Sequence, residues 1–431
     1  MTYEFLVCLI ILFGLSAIGT PIAYAILVGS CAYLWVGGQG IGLAGKIVLD
    51  GMYSSFILLA GPLFIVAANI MNAGTISDRL LRFCIAVVGR FRGGLGHVNV
   101  VASLIFSGMS GSAVADAAGI GRIIIEMMTK AGRYPAGYAA AITAASATIG
   151  PIIPPSIPMV MYGMVAGQSI GFLFLGGIVP GVLVGLSLML MNAYLARRRN
   201  FKVDATVALT DLPAVTGRAL PALIMPAILL YGIYGGLTTP TEAAAIAAAY
   251  ALVLAAFFYR AYTLRSLYQV FLESARSSAS IGLIIGAALV LNYVFASENI
   301  PSVIATHLVD LDVHPLLFLL AVNVVILLLG ALFDSTTIIL IILPLFIPSC
   351  RELGIDLIHF GVVAIVNCMI GLITPPYGVL LFVINAITEI PLKEIIKEIW
   401  VFLGILLAAL LVLILFPNII LWLPRMFGYN G

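Results

Sequence analysis

The chain has 431 residues, 63% of them hydrophobic and only 9% Asp, Glu, Lys or Arg, with a formal net charge of +2. A soluble domain carries about 25% charged residues, so water is excluded as the main solvent of this surface, and the near-neutral balance points to no nucleic acid. The apolar stretches are continuous rather than alternating with polar residues, which excludes a transmembrane β-barrel.

In chain order the apolar runs are Phe5–Val36, Phe56–Ile70, Tyr138–Ala166, Phe172–Leu195, Ala219–Ile233, Ala243–Phe258, Ile281–Phe295, Leu316–Leu332, Ile338–Ile347, Phe360–Ile387 and Val401–Leu423. About 20 apolar residues cross a bilayer as a helix, and several runs have room for more than one span or half-span. The expectation is one all-α polytopic membrane domain over residues 1–431. The first run lacks a basic leader and continues past any cleavage site, so it reads as structure rather than signal peptide. The longest polar stretch, Arg197–Arg218, reads as a loop. The five cysteines form no C-x-x-C pair and read as small buried hydrophobes, and the four histidines show no metal-ligand spacing.

The sequence repeats itself. I-G-P-I-I-P-P-S at 149–156 returns as I-G-L-I-T-P-P-Y at 370–377, V-N-V-V at 98–101 returns at 322–325, and Thr20-Pro21 has a weaker echo in T-P-T-E-A at 239–243. The nearly constant offset of about half the chain argues for two related halves, 1–200 and 216–431. Basic residues favour the cytoplasm. That places Arg90, Arg92, Lys130, Arg133, Arg197–Arg199, Lys202, Arg260, Arg265, Lys393 and Lys397 inside, and the acidic segment Ser297–Asp312 outside. The segments 93–128 and 315–348 then enter and leave on the same side, the first cytoplasmic and the second periplasmic. They read as re-entrant hairpins of opposite orientation, the plan of an inverted repeat. Charged residues at helical spacing in Tyr262–Arg276 and Pro391–Ile399 suggest amphipathic helices in the interface plane that serve as connecting arms.

The prolines locate the chemistry. A helical N–H bonds the carbonyl four residues back, and proline has no N–H. Pro154 and Pro155 therefore free the carbonyls of Gly150 and Pro151, and Pro375 and Pro376 free those of Gly371 and Leu372. A bare carbonyl in hydrocarbon costs several kcal/mol, so it faces protein, water or a cation. The expectation is two discontinuous helices. Their carbonyls suit a small hard cation, and half-helix starts at Ser156 and Tyr377 suit an anion. The hairpin tips agree. Ser107–Ser112 is small and polar, with Ser110 or Ser112 as the cap of the next helix. Asp334-Ser335-Thr336-Thr337 interrupts an apolar run, and Asp334 or Ser335 can cap the helix that begins there. An ionisable group at membrane depth is a functional hypothesis by default, which singles out Asp334 and, less strongly, Asp116 and Glu242. Arg122 and Glu126, four apart, suit a pair on one helix. Enzyme signatures are missing: G-x-S-x-G is not met, and there is no H-E-x-x-H or P-loop.

The motifs G-M-S-G-S-A-V-A-D (108–116), A-T-I-G-P-I-I-P-P-S (147–156), G-L-T-T-P-T-E-A-A-A (236–245) and G-L-I-T-P-P-Y-G (371–378) resemble the large, DctM-type permease subunit of tripartite ATP-independent periplasmic (TRAP) transporters, essentially end to end. The resemblance implies a multi-pass protein of the bacterial inner membrane. It would import a carboxylate, such as a C4-dicarboxylate, sialic acid or another sugar acid, by sodium symport and an elevator motion. The partners implied are a small four-helix membrane subunit on a separate polypeptide and a soluble periplasmic substrate-binding protein. Sodium is the coupling ion and no cofactor is expected. By position, one sodium site falls on Ser110, Ser112, Gly150, Ile153 and Pro154, and the other on Gly330, Asp334, Gly371 and Thr374. The substrate would meet Ser112, Asp116, Ser156, Glu242, Asp334, Ser335 and Pro376. No arginine stands at the proposed centre as a clamp. The alternatives are a related sodium–carboxylate symporter working alone and an intramembrane enzyme.

Overall fold

The computed structural model describes the backbone of residues 2–53, 56–72, 74–203, 211–259, 261–311 and 313–431. Arg260 and Asp312, used above for orientation, lie outside the described residues, as does 204–210 of the predicted loop. The described residues are helices and turns with one isolated bridge, Arg92 to Val203. The first half contains α1 (Tyr3–Ala17), α2 (Ile22–Val36), α3 (Gly42–Tyr53), α4 (Ala60–Met71), α5 (Gly74–Val88), α6 (Gly94–Ser110), α7 (Ala113–Asp116), α8 (Arg122–Thr129), α9 (Ala136–Ala147), α10 (Ile157–Ala166) and α11 (Ile170–Arg198). The second contains α12 (Leu212–Tyr234), α13 (Pro240–Val253), α14 (Leu264–Ser297), α15 (Ile300–Asp310), α16 (Pro315–Gly330), α17 (Ser335–Thr337), α18 (Leu343–Glu352), α19 (Leu357–Gly371), α20 (Val379–Thr388) and α21 (Leu392–Leu415), followed by α22 (Pro417–Met426).

The repeat seen in the sequence is a repeat of structure. Helices α6 to α11 recur as α16 to α21 in the same order. Even the irregularities recur: α7 and α8 are joined by a π-helical turn at Ala117–Gly121, and α17 and α18 by another at Ile338–Ile342. Among the described residues, six helices are long and apolar enough to cross a membrane, α11 and α21 among them. The chain is an all-α polytopic membrane protein with two inverted repeats, each holding a re-entrant hairpin and a broken helix.

The centre is built from α9 and α19. Every residue of α19 is buried, as is α9 from Gly137 to Ala147, the expected state of a helix that is apolar all round. Lipid tails are as apolar as a core, so packing between membrane helices depends on close approach of small residues. The A-G-Y-A-A-A start of α9 provides this. A Cβ at Gly137 would lie 2.6 Å from the Glu394 carbonyl oxygen of α21. The Tyr138 hydroxyl donates to Asn192 Oδ1 on α11, and at the matching place in the repeat His359 meets the Leu413 carbonyl on α21 at 2.9 Å. The cysteines are all unpaired, four of them buried.

Two expectations change. The charged segments predicted as arms are not separate helices. Leu264–Arg276 opens the 34-residue α14, and 392–399 opens the 24-residue α21. A charged, amphipathic first few turns is continuous with an apolar span because nothing between them breaks the helix. On α21, Ile395 and Ile399 are buried and Lys393, Glu394 and Lys397 lie toward the surface, as their spacing predicts. The Arg197–Arg218 loop is also shorter than expected: α11 continues to Arg198, and Arg218 lies inside α12.

Candidate functional site

The first hairpin ends because Gly111 takes a left-handed conformation, φ 60°, which glycine adopts without the Cβ penalty. Ser112 then caps α7, its hydroxyl accepting the Ala115 N–H at 3.4 Å. Ser110 does something else: its hydroxyl donates to Asp116 Oδ1. Asp116 is therefore not a helix-end charge. It is 3% exposed, and its second oxygen, Oδ2, is buried without a hydrogen-bond partner among the described residues.

The first broken helix closes on this tip. The polypeptide between α9 and α10 runs through Gly150 to Ser156. A Cβ at Gly150 would stand 2.6 Å from Asp116 Oδ2, and one at Gly111 would stand 2.5 Å from the Pro155 carbonyl oxygen. Ser156 caps α10 through Met159 N–H at 3.2 Å, and its own hydroxyl donates to the Pro151 carbonyl. That carbonyl, freed by Pro155, is thus satisfied. Among the described residues no hydrogen bond reaches the carbonyls of Gly150, Ile153 or Pro154. The Ile153 side chain turns away, filling the space over Gly181 on α11. A buried carboxylate oxygen, a serine hydroxyl and unpaired carbonyls make a set of hard oxygens, the donor type a small hard cation takes.

The second half repeats the plan with different details. Asp334 caps α17, its Oδ2 accepting the Thr336 N–H at 2.9 Å, but the residue is exposed. Ser335 and Thr337 are the buried members, and Thr337 Oγ1 has no partner among the described residues. Gly330 and Gly371 meet backbone to backbone, since a Cβ at Gly371 would lie 2.7 Å from Gly330 Cα. The two carbonyls freed by prolines are taken here. Gly371 accepts from Thr374 N–H at 3.0 Å, and Leu372 accepts from Leu380 N–H at 3.0 Å. The sequence expectation of bare carbonyls at Gly371 and Leu372 is corrected: the chain turns tightly after α19 and brings new donors to both. Of the named residues here, the carbonyls of Gly330 and Thr374 have no donor among the described residues. Tyr377 does not begin the second half-helix either. Gly378, left-handed at φ 49°, precedes α20, and its N–H bonds the Ala331 carbonyl at 3.3 Å. Pro376 and Tyr377 are exposed.

The two sets adjoin crosswise. Helix α7 of the first tip packs on α20, and α17 of the second tip packs on α10. Glu242 is not brought to them. It is N3 of a capping box on α13, accepting the Thr239 N–H at 2.8 Å, and α13 packs on α4 and α12. Arg122 and Glu126 pair on one helix at 3.0 Å.

Beside the first tip lies a cavity of about 510 Å³ that the sequence did not indicate. Ser110 and Ser112 line one wall; Asn69 of α4 and Arg276, Ser277 and Ser280 of α14 line the other. Among the described residues Arg276 has no ion-pair partner within 4.0 Å. The run Ser274–Ser280, serines and alanines around Arg276 ahead of the apolar part of α14, is the signal that marks it.

Paired hairpins and broken helices, with a cavity beside the first tip lined by serines, Asn69 and Arg276, define a secondary transporter. The description "Tripartite ATP-independent periplasmic transporter, DctM component" matches residues 9–419. The chain is 37% identical over 419 residues to the sialic acid TRAP transporter large permease protein of Vibrio cholerae, covering 97% of this chain and 98% of that one. It is 40% identical over 375 residues to the C4-dicarboxylate TRAP transporter large permease protein of Pseudomonas aeruginosa, covering 87% and 88%. It is 36% identical over 418 residues to the 2,3-diketo-L-gulonate TRAP transporter large permease protein of Escherichia coli, covering 97% of each. Among solved structures, the YdaH transporter of Alcanivorax borkumensis superposes with a TM-score of 0.62 at 18% identity, covering 88% and 89%, which speaks to the fold alone. The chain belongs to the DctM family of TRAP transporter large permeases. It is a multi-pass inner-membrane transport subunit and not an enzyme.

Proposed function

We propose that this subunit imports a small carboxylate by sodium symport. One juxtaposition carries the reading: Asp116 Oδ2 and the Gly150 carbonyl lack partners among the described residues next to the Ser110–Ser112 tip, and Arg276, exposed and without an ion-pair partner among them, lines the cavity that Ser110 and Ser112 also line. A cation behind the tip would fix Asp116 and Ser110. That fixes the wall against which a carboxylate, held by Arg276, would rest. Reciprocity then requires the anion to favour the cation in turn. The second set, around Gly330, Asp334, Gly371 and Thr374, is the proposed partner ion site. The halves 1–200 and 216–431 are the proposed units of the repeat, with the two hairpins and broken helices moving together as an elevator.

The substrate reaches the chain, on this reading, from a periplasmic binding protein, with a small four-helix membrane subunit as its companion. The relatives named above carry three different substrates at 37%, 40% and 36% identity, so likeness does not choose among carboxylates. The test is uptake of radiolabelled carboxylates into proteoliposomes holding this chain and its small subunit, each with its binding protein, under an imposed inward sodium gradient. Uptake requiring both sodium and the binding protein is expected. Uptake that proceeds unchanged without sodium overturns the coupling, and sodium-driven uptake without any binding protein identifies a stand-alone symporter.

A further inference from the structure

A second polar recess, of about 340 Å³, is lined by no residue of the hairpin tips and serves nothing in the reading above. Its lining is Asp78, Arg79 and Arg82 from α5 with Val215 and Arg218 from α12. Three guanidiniums face one carboxylate, an excess of two positive charges. None of the three arginines has an ion-pair partner within 4.0 Å among the described residues. The recess is also held in shape. Arg79 lies 4.3 Å above the Tyr259 ring, a cation–π distance, and the Tyr259 hydroxyl donates to the Arg218 carbonyl at 2.9 Å. Helix α5 is anchored from beneath by buried Ile76, Leu80 and Cys84.

Its depth in the membrane follows from its neighbours. Helix α11 ends in Arg197 and Arg198, Arg92 bridges to Val203, and α12 begins at Leu212. This basic edge is the cytoplasmic one. Below Arg218, α12 turns Leu220 and Ile224 outward, and Phe257 and Phe258, next to Tyr259, are 75% and 72% exposed. Exposed rings of that kind, with no polar tip, favour acyl chains over water. A doubly positive recess thus opens directly onto an apolar outer face, which a free anion would leave uncovered and a phospholipid would cover with its acyl chains.

We infer that the recess between α5 and α12 is a binding site for an anionic phospholipid of the inner leaflet, its phosphate on Arg79, Arg82 and Arg218. Basic recesses between membrane helices on the cytoplasmic side take such headgroups, and the planar guanidinium fork matches phosphate oxygens. A two-phosphate headgroup such as that of cardiolipin matches the charge excess. Because α5 leads directly into the first hairpin helix α6 and packs on the span α12, the lipid would tie the root of that hairpin to the bilayer edge.

The experiment uses the purified full chain in mixed micelles with cardiolipin, phosphatidylglycerol or phosphatidylcholine, and separately with inorganic phosphate. Retained lipid is read by native mass spectrometry and thermal unfolding. Retention and a raised unfolding temperature are expected with the two anionic lipids and not with phosphatidylcholine. The pair Arg82→Gln with Arg218→Gln should weaken retention about tenfold or more, from the loss of two charge-assisted contacts. The charge-keeping pair Arg82→Lys with Arg218→Lys should retain an intermediate amount, since the charge stays and the fork is lost, and Arg122→Gln on the exposed pair elsewhere should keep all of it. Equal retention by the Gln pair overturns the proposal. So does an equal effect of phosphatidylcholine, which makes the site apolar, or of inorganic phosphate, which makes it a free-anion site. Loss of small-subunit copurification with unchanged lipid retention would reassign the recess to a protein interface and also overturn it.

Discussion

Gly150 packs against the carboxylate of Asp116, so close that a single methyl group at residue 150 would stand 2.6 Å from Oδ2. One residue belongs to the broken helix and the other to the hairpin. Gly150→Ala should therefore cost sodium-stimulated uptake about tenfold or more while lowering stability only by the ~1–3 kcal/mol of an overpacked site. Proteoliposome uptake and thermal unfolding measured on the same sample decide it. Full uptake in Gly150→Ala would show that nothing needs the space between the two groups.

Asp116→Asn keeps the shape and the Ser110 contact but removes the charge. If the carboxylate serves a cation, uptake should lose its dependence on the sodium gradient, and unfolding should become insensitive to added sodium chloride over an equal concentration of choline chloride. Retained sodium stabilisation in the Asn variant would move the ion elsewhere.

Arg276 tests the anion side. Arg276→Gln removes a charge-assisted bond to substrate, for which about 1.5–3 kcal/mol is typical, so KM for the carboxylate should rise roughly 10- to 100-fold. Arg276→Lys should fall between the two, because a point charge replaces a bidentate fork. An unchanged KM in both variants would leave the cavity without a role in substrate binding.

The buried asparagines are a test of packing rather than transport. Asn99 bonds Thr143, and Ser146 donates to Asn99 at 3.1 Å; 224 residues later Asn323 accepts from Asn367 at 2.9 Å. Each pair ties a hairpin helix to the helix that breaks. Asn323→Leu leaves the buried Asn367 amide one acceptor short, at a cost of ~1–3 kcal/mol, read as a lower unfolding temperature. Asn323→Leu with Asn367→Leu should recover part of that loss.

Gly371→Ala places a methyl 2.7 Å from the Gly330 backbone, which has no side chain to move aside. A loss of ~1–3 kcal/mol is expected. Gly404→Ala, where nothing lies within 4 Å, is the matched control and should be neutral or gain ~0.5–1 kcal/mol as a mid-helix glycine replaced by alanine. Equal behaviour of the two would show that the Gly330–Gly371 contact has room to spare.

The repeat, the hairpins and the breaks are legible in the sequence because proline and glycine act locally: Pro154 or Gly111 has the same consequence wherever the neighbours lie. The pairing of freed carbonyls is not. The removal of a donor can be read from the sequence, but the arrival of Thr374 N–H at Gly371 depends on how tightly the chain turns. Asp116 resembles a helix-end charge in sequence because capping is the ordinary use of an acid at that spacing, and its burial is a tertiary fact. Glu242 errs in the opposite direction, for it is the ordinary cap. Arg276 has the spacing of one face of an amphipathic arm, and nothing in its own segment shows that the hairpin tip at Ser110–Ser112 lines the same cavity.

The Tyr162 hydroxyl reaches the Leu357 carbonyl at 2.7 Å, 195 residues further on, and its ring occupies the room left by Gly361. This contact constrains biogenesis. Ribosomes deliver the chain to the bilayer from its N-terminus, so the first broken helix is inserted with the hydroxyl and ring of its Tyr162 unmatched. It stays so until α19 emerges. The first half therefore cannot mature as an independent unit, and a truncated product ending before residue 357 exposes an unfinished seam, the kind of surface that membrane quality-control proteases act on.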